Sequence, residues 1–207
     1  MSSLIFYIQE DMAFIAMDTL AVTAEGNPYL FTNKFTYLQT LNTVICGLGL
    51  GGFGSEWAEN VNRNMRVADI EHLNYFSEEE LRKLYAEYCQ RYNLSGTESS
   101  TIYHIGYSQE EAKMVAFAFR SLNSFKCERL PYGTAVKPEC EILEGNLIEN
   151  IPTMMQMQRD IQKNQPEDSR IYIGGEVRAI HLEKDKATYY NLGEFNDYQE
   201  NKRYIFG

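Results

Sequence analysis

The apolar positions fall into short runs separated by polar turns, and most of the runs alternate as strands do. Leu4-Ile5-Phe6-Tyr7-Ile8 is β-branched and aromatic, Gln9-Glu10-Asp11 turns the chain, and a second apolar run from Met12 to Met17 ends at Asp18. That is the pattern of a tight hairpin. Gly26-Asn27-Pro28 marks a turn, and residues 34–38 and 43–47 predict two more strands, the first amphipathic and the second buried. Beyond Gly54 the pattern turns helical. Ser55 predicts the cap of a helix through about Val67. Ser77-Glu78-Glu79-Glu80 has the spacing of a capping box, so it predicts a second helix from Ser77 to about Asn93, with Leu81, Leu84, Tyr85 and Tyr88 on one face. Residues 101–107 and 113–121 predict another hairpin. Residues 151–165 predict a Met- and Gln-rich helix with Pro152 in its first turn. Residues 171–182, broken by Gly174-Gly175, and 187–192 predict the last hairpin. Pro131-Tyr132-Gly133 and Lys137-Pro138 are loop signals.

Strands therefore come in antiparallel runs, with a block of helices between them. The expected class is α+β, two antiparallel sheets covered by helices. One domain is expected over residues 1–195, followed by a polar, aromatic tail without periodicity over 196–207.

Composition narrows the function. The chain has 207 residues, 44% hydrophobic and 13% aromatic, which excludes disorder and supplies a core without disulfide or metal. Its 19 Lys and Arg stand against 29 Asp and Glu, a net charge of −10. A general nucleic-acid binder needs a basic stripe, and an anionic lipid surface attracts basic segments, so neither nucleic acid nor membrane is an expected partner. Cys46, Cys89, Cys127 and Cys140 form no CxxC pair and have no His at zinc spacing, so reduced thiols, a cytoplasmic location and no metal or cofactor are expected. The opening MSSLIFYIQED lacks the basic start and apolar core of a secretory signal. Residues 35–55 are uncharged but broken by glycines, unlike a membrane span. Gly47 to Gly52 fits GxGxxG, yet two helices follow rather than a βαβ unit, so a close-packed strand-to-helix turn is the better reading. His72, His104 and His181 read as structural, Cys46 as a small buried hydrophobe, and Met154, Met155 and Met157 as helix packing.

One constellation carries chemistry. The hairpin turn at 9–11 brings Ser2 and Asp18 to the same end, and Lys34 joins them if its strand is adjacent. A hydroxyl becomes a nucleophile when a base takes its proton, and the α-amine of a chain-starting Ser2, titrating near about 7.7–8.0, is such a base. Asp18 would orient the Lys34 ammonium, and the Gly47 N–H would hold an oxyanion. By spacing alone, solvated residues at strand ends remain the simpler alternative.

The residues that shift this balance are Ser2-Ser3-Leu4-Ile5-Phe6-Tyr7-Ile8, Ala13-Phe14-Ile15-Ala16-Met17-Asp18, Asn33-Lys34-Phe35 and Val44-Ile45-Cys46-Gly47. Together they resemble a proteasome β-type subunit of the N-terminal nucleophile hydrolases. In that family a chain-starting nucleophile, usually Thr, is followed by an Asp and a Lys at these separations. Tyr103-His104-Ile105-Gly106-Tyr107 and Ile173-Gly174-Gly175-Glu176-Val177 resemble later strands of the family. The resemblance covers about residues 1–182 and is specific over the first 47. It implies a four-layer αββα sandwich, an amide (peptide) bond hydrolase with Ser2, Asp18, Lys34 and Gly47 as its site, and self-association, in the family often a ring, through the helices at 55–93. That activity requires the removal of Met1, and the length of the chain leads to the expectation of no long propeptide. The chain departs from the family where a Ser should precede the late Gly pair: Ile173 stands there, with Arg170 three residues earlier and Asp168 out of register. The family's Gly-Ser-Gly turn is echoed only by Tyr132-Gly133-Thr134. A non-catalytic scaffold or regulatory protein on the same fold is therefore the alternative, and an acidic partner-binding decoy a distant third.

Overall fold

A computed structural model describes residues 2–167 and 169–207. In chain order the strands and helices are β1 Leu4–Ile8, β2 Met12–Asp18, β3 Leu20–Val22, β4 Pro28–Phe31, β5 Phe35–Leu38, β6 Thr43–Leu48, α1 Phe53–Asn64, α2 Ile70–Arg91, β7 Thr101–Ser108 and β8 Lys113–Arg120. They continue with β9 Cys127–Arg129, β10 Gly133–Lys137, α3 Leu147–Lys163, β11 Glu176–Glu183, β12 Lys186–Glu194 and α4 Tyr198–Phe206. Two five-stranded sheets form, in the orders β10-β1-β2-β11-β12 and β5-β6-β7-β8-β9, and β3 pairs with β4 as a separate ribbon.

Strand alternation explains the layering. Leu4, Phe6 and Ile8 of β1 and Ala13, Ile15 and Met17 of β2 point inward, where they meet Val44, Cys46, Tyr103, Ile105, Met114 and Ala116 of the second sheet. The intervening Ile5, Phe14 and Ala16 point outward onto Ile151, Met154 and Met155 of α3. On the other side Ile45, Ile102, Val115, Phe117 and Phe119 face Phe53, Trp57 and Val61 of α1 and Leu73, Leu81 and Leu84 of α2. Each sheet is thus buried on both faces, which is why its strands carry apolar residues at successive positions. The expected αββα sandwich is the observed architecture.

Several elements differ from the expectation. Lys34 does not precede a strand adjacent to β2, because β5 belongs to the other sheet. Ser77 does not cap α2. The helix begins at Ile70, the carboxylate of Asp69 accepts the N–H of His72, and Ser77 lies buried mid-helix with its hydroxyl donating to the Leu73 carbonyl at 2.7 Å. A Ser on the apolar face, spaced from Leu73 and Leu81 as a core position, imitates a cap. Similarly, α1 starts at Phe53 behind Gly52, with no side-chain cap from Ser55. The third helix starts at Leu147 under Asn146, so Pro152 is inside it rather than in its first turn. Residues 171–175 are not strand; β11 opens only at Glu176, after Gly175 turns the chain at φ +82°. The segment 196–207 is helical over Tyr198–Phe206, and Phe31 of β4 packs against its Tyr198 and Phe206 at ring distances of 4.9 and 6.4 Å.

Candidate active site between the sheets

The hairpin register sets one end of the site. Leu4 pairs with Met17, so residues 2 and 3 run alongside Asp18. Alternation along an extended chain then separates the two serines. Ser3 is fully buried, its N–H donates to Asp18 Oδ1 at 2.9 Å, and its hydroxyl is turned toward α3, where it donates to Gln158 Oε1. Ser2 faces the other way and lines a cavity of about 530 Å³.

The cavity lies where the two sheets and the β3–β4 ribbon meet. Lys34, from the link into β5, and Gly47, near the end of β6, line it together with Ser2. Lys34 Nζ donates to Asp18 Oδ2 at 2.9 Å and to the Leu20 carbonyl at 2.6 Å. Asp18 is fully buried, yet its carboxylate takes three donors: Ser3 N–H, Lys34 Nζ and, at 3.1 Å, Gly174 N–H. A buried charge needs such compensation, and here a cation and two backbone dipoles supply it. The ion pair therefore bridges the sheets rather than running along one of them.

One glycine contact forms the cavity rim, and a glycine pair packs behind Asp18. A Cβ on Gly47 would stand 3.0 Å from the Cα of Gly54, so glycine lets β6 and α1 touch at the cavity rim. The late glycine pair closes on the β2–β3 junction: Gly174 O accepts from Thr19 N and Leu20 N at 3.2 and 3.0 Å, and a Cβ on Gly175 would lie 2.4 Å from Thr19 Oγ1. From the sequence this pair was a distant strand feature. In the structure its first member, Gly174, donates directly to Asp18.

All four expected site residues converge here, Ser2, Lys34 and Gly47 at the cavity and Asp18 behind Lys34. The supporting positions do not. Ile173 is buried in the apolar layer under α3, and Arg170 donates to the Gln165 carbonyl at 3.0 and 3.3 Å. Gly133 and Thr134 pair with Ile8 and Tyr7, at the far end of β1 from Ser2. Met1 and Asp168 lie outside the described residues. Gln158 was missed by sequence reasoning, since a Gln in a Met- and Gln-rich helix carries no motif.

Competing chemistry is weak. Burial pushes the Cys46 thiol up to about 12, so it supplies no thiolate. His104 is buried away from the cavity. Gly47–Gly52 joins a strand of an antiparallel sheet to α1, which is not a dinucleotide turn.

No family model matches the chain, and no curated protein matches it in sequence. The likeness to solved structures is in the fold. The Anbu (Gly-1) mutant from Hyphomicrobium sp. strain MC1 superposes with a TM-score of 0.66 over 99% of this chain and 93% of that one. The fold is proteasome-like. Identity across the alignment is 11%, so the likeness is one of fold. Among the described residues no helix is long and apolar enough to cross a membrane, and no group of three or more His, Cys, Asp and Glu could hold a metal ion.

Proposed function

We propose that the chain is a proteasome β-subunit-like hydrolase that cleaves an amide (peptide) bond with Ser2 as its N-terminal nucleophile. The observation that carries this is the convergence of Ser2, Lys34 and Gly47 on one cavity, with the Lys34–Asp18 pair buried behind them. With Met1 removed, the α-amine of Ser2 takes the proton of its own hydroxyl as the oxygen attacks the substrate carbonyl. The oxyanion of the tetrahedral intermediate accepts from the Gly47 N–H, and the nearby ammonium of Lys34 offsets its charge. The scissile C–N bond breaks, and the proton passes from the α-amine to the leaving nitrogen. Water then attacks the acyl ester, gives its proton to the same amine and releases the acid, restoring Ser2.

Among the described residues Lys34 is the only charged one lining the cavity, and Leu20, Ala21, Val22, Tyr29, Leu30 and Leu50 supply apolar surface. That favours substrates with an uncharged, apolar acyl side. Self-assembly through α1 and α2 is part of the same reading, and sedimentation velocity checks it: a monomer at micromolar concentration removes it.

Ser2→Ala tests the chemistry. Turnover of an apolar fluorogenic peptide amide should disappear, while intact mass of the native protein should lack Met1. Retention of Met1 in the native protein sinks the reading. It then favours the second one, a non-catalytic scaffold or regulatory protein, to which Ile173 and Arg170 already point.

A further inference from the structure

Ser2 needs a fixed backbone if its hydroxyl and α-amine are to meet a carbonyl in one geometry. Its covalent neighbour Ser3 is held from two sides. The Ser3 N–H is tied to Asp18 at 2.9 Å, and its hydroxyl is tied to Gln158 Oε1. Gln158 is itself fully buried, one turn beyond Met154 and Met155 on the apolar face of α3. Its Nε2 donates to the Pro138 carbonyl at 2.5 Å. Pro138 follows β10, whose Lys137 pairs with Leu4. An amide in an apolar layer is unfavourable unless both ends are bonded, and both ends are bonded here, to the chain on either side of the β1 start.

We propose that Gln158 is a positioning residue for Ser2, acting through Ser3: it clamps the residue next to the nucleophile to α3 and to the β10 edge. The inference rests on the hydrolase reading above. The clamp also separates the roles of the two serines. It turns the Ser3 hydroxyl away from the cavity, leaving Ser2 as the hydroxyl presented to substrate. Gly133 and Thr134 of β10 pair with the far end of β1, so the hold on the start of β1 comes from Gln158 of α3 and, through it, the Pro138 carbonyl.

The test uses three variants of the full chain: Gln158→Leu, Ser3→Ala and the double. Two probes are read, a fluorogenic leucyl peptide amide for kcat and KM, and a peptidyl β-lactone that esterifies the nucleophile, followed by intact mass. Misplacing a nucleophile by a fraction of an ångström is expected to slow acylation by roughly ten- to a hundredfold while KM stays within about twofold. Both single variants remove the Ser3–Gln158 bond, and Gln158→Leu also loses the bond to the Pro138 carbonyl, so the double variant should be no slower than the slower single. Ser3→Ala removes a single oxygen, so it reports even if Gln158→Leu folds poorly. A merely structural role would lower the melting temperature and leave kcat per labelled site unchanged. Wild type that labels at the same rate as both single variants overturns this inference alone. Wild type that neither labels nor turns over overturns the hydrolase reading and this inference with it.

Discussion

Two buried polar clusters sit on opposite sides of the second sheet, and only one of them faces a cavity. Beside Ser2, the carboxylate of Asp18 and the ammonium of Lys34 meet next to about 530 Å³ of open space. Under the helices, His104 of β7 accepts from Trp57 Nε1 at 2.8 Å and donates through Nδ1 to Asn74 Oδ1 at 2.9 Å, the His and Trp rings lying nearly parallel at 6°. His104 and Trp57 have no exposed surface. The indole donates, so the facing ring nitrogen is unprotonated and the ring is neutral. Burial pushes the His104 pKa down to about 3. A charged pair held at a cavity can act on a substrate; a neutral ring sealed among aromatic side chains holds helices to a sheet. Burial and a perturbed pKa are common to functional and structural groups, and access separates them.

The largest effect should come from removing the charge at the open cluster. Asp18→Asn removes the counterion of Lys34, whose stem lies between the sheets, and replaces one acceptor oxygen with an NH2 donor. Breaking a buried pair in this way is expected to destabilise by about 3–5 kcal/mol, read as a shift of the urea midpoint. Turnover should be lost along with it, since a single amide oxygen replaces the two carboxylate oxygens that hold Lys34, the Ser3 N–H and the Gly174 N–H. A variant that unfolds at the wild-type midpoint would show that the pair is solvated and the comparison false.

At the closed cluster, His104→Leu strands the Trp57 N–H and the Asn74 carbonyl oxygen, at about 1–3 kcal/mol for an orphaned group. Turnover at Ser2 should be unchanged. The pH dependence makes the sharper measurement. The folded-state pKa is depressed from 6.5, so the unfolded chain takes up the proton first as pH falls. Stability is therefore fully present above pH 6.5 and falls as pH drops toward 3, by up to about 1.4 kcal/mol per pH unit. Between pH 6.5 and about 5, before most carboxylates titrate, His104→Leu should flatten that slope. An unchanged slope would mean that the ring is not held neutral by its burial.

The two clusters differ as much in legibility as in access. The β1–β2 hairpin could be read because Leu4 to Ile8 and Met12 to Met17 are unbroken apolar runs with a polar turn between them. The spacing of Ser2, Asp18 and Lys34 was visible for the same reason. How Lys34 arrives was not: the strand that follows it belongs to the opposite sheet, and sheet membership is set by long-range pairing that no local pattern encodes. The β3–β4 ribbon and β9 and β10 went unread because they are short and largely half-exposed or exposed, so their alternation is weak. His104 looked like any strand residue, and its partners Trp57 and Asn74 lie on two separate helices. Polar residues that serve a fold or a site from a distant element leave no periodic mark of their own.

Tyr88 joins the two regions and gives the smallest expected effect. It stands on α2, in the layer that encloses His104, and its ring packs edge-on against Phe53 at 5.4 Å. Its hydroxyl reaches the other way and donates to the Gly51 carbonyl at 2.5 Å, fastening the glycine loop that forms one wall of the Ser2 cavity. Tyr88→Phe keeps the ring and deletes only that bond, so stability should fall by about 1 kcal/mol or less. A loosened wall must be ordered again when substrate enters, so KM should rise severalfold while kcat per active site stays constant. The same change leaves the His104 cluster untouched, and the pH slope should match wild type. If instead kcat fell with KM unchanged, the loop would belong to the reacting geometry around Gly47, and the helix layer would reach into the chemistry rather than only supporting its wall.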